Sequence, residues 1–184
     1  MKVPVGISNK HVHLTEEDYK ILFGKNELTK KADLKQPHNY AACEMVNVKT
    51  EKSELKNLRI LGPFRSYSQV ELAATDARIL GINPPTRMSG DIENSALIEI
   101  VGPCGSVKSE CAIVAQRHIH ITQAEKDEKK LPDVVSVIVP GEKGGIIGDV
   151  HLKVSDEAYF EMHLDTDEAN AFRLSNNQEL EIKF

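Results

Sequence analysis

Lys10-His11-Val12-His13-Leu14-Thr15 stands near the start of the chain, and Arg117-His118-Ile119-His120-Ile121-Thr122 repeats its pattern past the middle. Each copy is a basic residue, a His-apolar-His triplet, an apolar residue and a threonine, and an acid follows three residues later, at Asp18 and Glu125. Successive side chains of a strand point to opposite faces, so each histidine pair shares a face while Val12 or Ile119 packs behind it. Two residues of strand advance roughly 7 Å, a span across which two imidazoles can lean onto one metal ion. Threonine followed by an acid at that spacing is a capping box, which starts a helix directly after the strand. One His-x-His alone is as consistent with a surface or hydrogen-bonded pair. Two copies in matching strand-to-helix settings, using four of the 7 histidines, point to a metal site with two ions.

Composition narrows the class. A chain of 184 residues is long enough for one domain or two small ones with a real core. The net charge of −5 and the lack of any Lys/Arg-dense run argue against a nucleic-acid partner. They leave room for a small phosphorylated ligand, which needs only a few local cations. No apolar run approaches the roughly 18 residues of a membrane span, and no signal peptide opens the sequence, so a membrane role is not expected. Cys43, Cys104 and Cys111 are odd in number and lack CxxC spacing. The expectation is therefore free buried thiols in a reducing cytoplasm rather than disulfides.

Along the chain, Val3 to Ser8 reads as a strand running directly into the first His-x-His. Glu16–Phe23 reads as a short helix stopped by Gly24. Residues 25–40 read as loop, and strands are expected over Glu44–Lys49 and Leu58–Leu61. Ser68-Gln69-Val70-Glu71 has capping-box spacing and opens an expected helix on which Val70, Ala73, Ala74, Ala77 and Leu80 form the apolar stripe. The remainder is β-rich, with strands expected at Ala96–Val101, Cys111–Ala115, Val134–Val139, Val150–Val154, Tyr159–Leu164 and Leu180–Phe184. A capping box at Asp165-Thr166-Asp167-Glu168 precedes a helix over Ala169–Arg173. Many short strands with few short helices imply small β-barrels or a sandwich rather than a parallel α/β sheet. The repeat implies two related half-domains, each giving one histidine pair.

Four histidines complete two shells only with further ligands. His38, His151, His163 and carboxylates near turns are candidates, and spacing does not choose among them. Glu71 reads either as a ligand or as the acid of its capping box. Arg65, beside the Gly62-Pro63 turn, reads as an oxyanion clamp or as a surface arginine.

Taken together, Val5-Gly6-Ile7-Ser8-Asn9-Lys10-His11-Val12-His13-Leu14, Arg65 ahead of Gln69-Val70-Glu71, Gln116-Arg117-His118-Ile119-His120-Ile121-Thr122 and the stretch around His163 resemble the phosphate propanoyltransferases, the propanediol-utilisation type of phosphate acyltransferase. The resemblance covers essentially the whole chain. It implies a mainly β protein with short helices, built as two interlocked small β-barrel domains related by an internal repeat. Residues 1–9 with 116–184 would form one barrel and 10–115 the other, with two Zn2+ ions in a cleft between them. On this resemblance His11, His13 and Glu71 hold one ion and His118, His120 and His163 the other. Arg65 positions phosphate, and Arg87 and Ser89 line the substrate pocket. Acyl-CoA and phosphate are the implied substrates, with acyl phosphate and coenzyme A as products, in a homo-oligomer such as a dimer. Many family members carry an N-terminal extension that directs them into a microcompartment; a strand beginning almost at Met1 leaves the expectation of none here. Gln36-Pro37-His38-Asn39-Tyr40 departs from the family pattern, so coenzyme contacts are not carried over there.

The residues support that chemistry. A zinc ion and an arginine can bind phosphate, and zinc can polarise a thioester carbonyl or accept a soft thiolate. The chief rival is another dinuclear zinc enzyme, such as a thioester or phosphoester hydrolase. A structural zinc module fits less well, since it would draw on cysteines and close all four positions.

Overall fold

The computed structural model describes residues 1–184 and is mainly β. In chain order its elements are β1 (Lys2–Ser8), β2 (His11–His13), α1 (Glu16–Phe23), β3 (Lys30–Asp33), β4 (Tyr40–Lys49), β5 (Glu54–Gly62) and β6 (Gln69–Leu72). Then come α2 (Ala74–Leu80), β7 (Thr86–Arg87), β8 (Ala96–Val101), β9 (Ser106–Ala115) and β10 (His118–Thr122). The chain finishes with α3 (Gln123–Lys129), β11 (Val134–Val139), β12 (Gly145–Ser155), β13 (Glu161–Asp165), α4 (Thr166–Ala171) and β14 (Glu179–Lys183). No helix is long and apolar enough to cross a membrane.

Two compact units result, Met1–Asn9 with Gln116–Phe184, and Lys10–Ala115. The first is a closed barrel in the order β1-β13-β10-β12-β11-β14, with β14 returning to β1. In the second, β4-β5-β2-β6-β9 closes through β8, which pairs with both β9 and β4, while β3 and β7 lie at the margins. Closure removes free strand edges, the principal hazard of an isolated sheet.

The two barrels have one plan. A central short strand carries the His-x-His (β2, β10), with a parallel neighbour on one side (β5, β12) and an antiparallel one on the other (β6, β13). The next strand around is parallel again (β9, β1). β1, from the start of the chain, completes the barrel of residues 116–184, and β9, which ends just before the second His-x-His, completes that of residues 10–115.

Strand alternation builds each core. Val135, Val137 and Val139 are buried, as are Leu180 and Ile182, with Val3, Val5, Ile119 and Met162 among them. In the other barrel Val46, Val48, Leu58, Ile60, Ile98 and Ile100 play this part around Tyr19 and Leu22 of α1. The helices follow their signals. Gly24 takes a left-handed φ of 68° to end α1, and Thr122 and Asp165 form full capping boxes with Glu125 and Glu168.

Several local expectations change. β1 does not run on into the first histidine pair: residues 2–8 and 11–13 belong to different barrels. Residues 25–40, expected as loop, include β3. Of the cysteines only Cys111 is buried; Cys43 and Cys104 are exposed. The largest change is at Ser68–Glu71, which opens no helix. Gln69–Leu72 is a strand buried throughout, hydrogen-bonded to β2 on one side and β9 on the other, and α2 begins only at Ala74. Pairing on both edges outweighs the local capping pattern. Ala77 and Leu80 remain the buried face of α2, whereas Val70 packs into the barrel from the strand.

Ser68 has a different use. The Thr15 hydroxyl accepts from Asp18 N (3.0 Å), but Asp18 does not reach back to the Thr15 amide. The Thr15 amide donates to Ser68 Oγ (3.1 Å), and that hydroxyl donates to the Asp18 carboxylate. Ser68 thereby completes the α1 capping box as a relay and ties α1 to β6. Replacing Ser68 with alanine strands the Thr15 amide and one Asp18 oxygen. We predict a loss of about 1–3 kcal/mol in chemical denaturation; an unchanged midpoint would show that the relay is not a structural contact.

Candidate metal centres

In the unit of residues 10–115, β2 and β6 run antiparallel with His11 opposite Glu71 and His13 opposite Gln69. The cross-strand register gathers His11, His13 and Glu71, whose donor atoms all lie within 4.8 Å of one another. All three are buried, at 8%, 6% and 8% exposure, so the group faces little competing water. His11 Nε2 is 3.5 Å from Glu71 Oε2, and His13 Nε2 is 3.9 Å from Oε1. His13 Nδ1 faces the Leu61 carbonyl at 3.2 Å; a carbonyl only accepts, so the proton sits on Nδ1 and Nε2 keeps its lone pair. Burial, with the neighbouring His11, drives the His13 pKa down to about 3, keeping this ring neutral near pH 7. Burial alone would raise the Glu71 carboxyl; the charge and hydrogen bond of His11, with His13 and the Ser89 hydroxyl, outweigh it and hold the group well below its ordinary value.

In the unit of residues 1–9 and 116–184, β10 and β13 repeat the arrangement, with His118 opposite His163 and His120 opposite Glu161. His118, His120 and His163 again present donors within 4.8 Å of one another. His118 Nδ1 donates to the Gln116 carbonyl (2.7 Å), leaving the Nε2 lone pair to face His120 Nε2 at 3.1 Å. The His120 and His163 rings meet edge to face at 4.6 Å.

The fit to a metal can be tested on these separations. Two ligands on a tetrahedral zinc, each at about 2.0–2.1 Å from the ion, lie about 3.3 Å from one another. The 3.1 Å and 3.5 Å contacts bracket that separation. The His118 Nε2 lone pair and His120 Nε2 are thus spaced as two ligands of one ion would be. Both donor sets therefore fit a divalent ion that takes nitrogen and oxygen ligands, with three protein donors each and room in the shell for an exogenous ligand.

His151 and His38 join neither group. His151 pairs with Asp149 (3.1 Å) on the surface, and His38 is exposed at a left-handed φ of 62°. No cysteine takes part; burial lifts the Cys111 thiol to about 12, which leaves it protonated.

Arg65 is pinned beside the first group. Its amide donates to the Leu14 carbonyl (2.9 Å), next to His13, and its charge contributes to the lowering of the His13 pKa. Nη2 donates to Asn39 Oδ1 (2.8 Å), while the buried Nε has no partner. Asn39 in turn donates to the Pro37 carbonyl (2.9 Å), so the 36–40 segment orients this arginine. Arg87 folds back on its own loop, with contacts to Glu93 O, Thr86 O and Asp91. Ser89 is drawn to the first group, accepting from Gln69 Nε2 at 3.0 Å.

Sequence reasoning missed Gln69, Glu161 and Asn39 as parts of these sites. Gln69 and Glu161 each stand two residues before a candidate ligand, on the same strand face, so the period of two was their signal. Asn39 left no such signal, because its contact with Arg65 is made across loops.

A family model for phosphate propanoyltransferase matches residues 4–175. The phosphate propanoyltransferase of Thermotoga maritima is 47% identical over 176 residues, covering 93% of this chain and 84% of the relative. That of Salmonella typhimurium is 43% identical over 178 residues (95% and 85%), and that of Rhodobacter capsulatus 42% over 185 residues (98% and 86%). With a match of this extent, the chain belongs to the phosphate propanoyltransferase family of phosphotransacylase enzymes.

Proposed function

We propose that this protein transfers an acyl group reversibly between coenzyme A and phosphate, as a zinc-dependent phosphate acyltransferase. Propanoyl-CoA and acetyl-CoA are its candidate substrates. The observation that carries the reading is a two-histidine, one-glutamate donor set beside an arginine whose buried Nε–H has no acceptor. His11, His13 and Glu71 would hold one ion; His118, His120 and His163 would hold the second. Bound there, zinc supplies Lewis acidity toward a carbonyl or phosphate oxygen and affinity for a thiolate.

The protein's own groups would do the rest. Arg65 would take phosphate through its planar fork, its unpartnered Nε–H meeting an oxyanion while Asn39 holds Nη2. That contact would neutralise part of the phosphate charge and aim one oxygen at the thioester carbon. Buried His13, neutral near pH 7, would offer a lone pair rather than compete for protons. Ser89, tethered through Gln69, would border the first donor set. No cysteine belongs to either donor set, and Cys111 is buried and protonated, which favours direct attack by phosphate over a covalent acyl-enzyme.

Three measurements test this. Purified protein assayed with propanoyl-CoA or acetyl-CoA should release thiol only when phosphate is present, and a chelator should abolish release. Release without phosphate would instead identify a thioester hydrolase built on the same residues. Replacing Arg65 with alanine should raise the phosphate KM or lower kcat at least about tenfold, the worth of a charge-assisted contact. Lysine should not restore it, since it lacks the fork, and an unaffected R65A enzyme would remove Arg65 from the phosphate site. Cys111→Ser, like C43S and C104S, should retain turnover; a dead C111S enzyme that remains folded would argue for acyl-cysteine chemistry.

A further inference from the structure

Gln69 and Glu161 occupy the same place in the two barrels. Each lies on the strand carrying the third donor, two residues before it, and opposite the second histidine of a His-x-His: Gln69 faces His13, and Glu161 faces His120. Both are buried, Gln69 at 0% and Glu161 at 4% exposure. Each is hydrogen-bonded to the third donor of its own triad. Gln69 Nε2 lies 2.7 Å from Glu71 Oε1, and Glu161 Oε2 lies 3.0 Å from His163 Nε2.

The polarity of these contacts is opposite, and each suits its partner. The Gln69 amide is oriented by Gly90, whose N–H can only donate and meets Oε1 at 2.8 Å. Nε2 must then face Glu71, with a second bond to Ser89 Oγ at 3.0 Å. This donor occupies Glu71 Oε1 and leaves Oε2, the oxygen 3.5 Å from His11 Nε2, for an ion. In the other barrel the third donor is an imidazole, which needs an acceptor to set its tautomer. The Glu161 carboxylate supplies it, placing the proton on Nε2 and the lone pair on Nδ1. Gly6, paired across the strands with His163, keeps that arrangement open: a Cβ there would lie 2.7 Å from the Glu161 carboxylate and 2.9 Å from the His163 ring.

We propose that Gln69 and Glu161 are matched positioning residues, each holding the third ligand of its triad through a hydrogen bond whose direction fits that ligand, and that they are not interchangeable. The inference rests on the two triads binding metal. Exchanging the partners reverses the fit. Q69E sets one buried carboxylate against another, and E161Q replaces a charged acceptor with a weaker, neutral one. Outer partners of this kind change metal affinity about 10–100-fold.

The test is zinc affinity, measured by competition with a chromogenic chelator on full-length chains that keep one triad, the other having its His-x-His pair changed to alanine. Q69E should weaken zinc about 10–100-fold where only His11, His13 and Glu71 remain, and have no effect where only His118, His120 and His163 remain. E161Q should do the converse. Glu71→His should bind weakly beside Gln69 and regain at least about tenfold when combined with Q69E, which rebuilds the histidine–carboxylate pair of the other barrel. Affinities unchanged within twofold, losses at both triads alike, or no rescue in the double variant would overturn the proposal. Single-triad parents that bind no zinc would overturn the metal reading itself, and this inference with it.

Discussion

An antiparallel register between two short strands is the constraint on which each candidate site depends. In one barrel it sets His11 against Glu71, in the other His118 against His163. Side chains directly opposite on one sheet face approach within about 4.5–5.5 Å at Cβ, and the His-x-His adds a second imidazole two residues along. A slip of one residue would turn every donor into the core and bring Val12 or Ile119 out. Burial of those two apolar residues, both at 0% exposure, therefore holds the polar face in place. Barrel closure on both sides keeps these short strands from sliding.

The same framework carries two different chemistries. The third donor is a carboxylate in one group and an imidazole in the other. Arg65, with its unpartnered Nε, stands beside the group that holds the carboxylate. Each His-x-His also follows a basic residue that anchors the end of the helix after the third-donor strand. Lys10 binds Asp76 at the start of α2 (2.8 Å), and Arg117 binds Glu168 at the start of α4 (2.8 Å). Those acids serve their helix N-termini and receive the cation together, so the strand bearing the third donor is tied at its end to the strand bearing the other two. The repeated Lys/Arg of the motif is thus a structural tie, separate from the donors.

Much of the fold was legible because its signals are local. The His-x-His period, the capping acids at Glu125 and Glu168, Gly24, and the alternation over Val134–Val139 each follow from backbone geometry and were read correctly as strands, helix starts and a helix stop. The failure at Ser68–Glu71 has the opposite cause. Its capping pattern and the alanine stripe beyond it are local helix signals, but Gln69–Leu72 is claimed on both edges by β2 and β9, and β9 arrives from much later in the chain. That strand brings Glu71 opposite His11, so the segment misread as helix is also one that builds a candidate site. The contacts of Ser68 and Asn39 were not legible for a related reason: their partners, Thr15, Asp18 and Arg65, are fixed only once distant segments have met.

The central claim is that each barrel holds its own ion with nitrogen and oxygen donors alone. Anomalous diffraction at the zinc absorption edge, from crystals of protein prepared without chelator, tests it most directly. The account predicts two peaks per chain, one ringed by His11, His13 and Glu71 and one by His118, His120 and His163, with protein donors at about 2.0–2.2 Å and no protein sulfur in either shell. Peaks elsewhere, a cysteine ligand, or two triads without an anomalous signal in an active enzyme would contradict it.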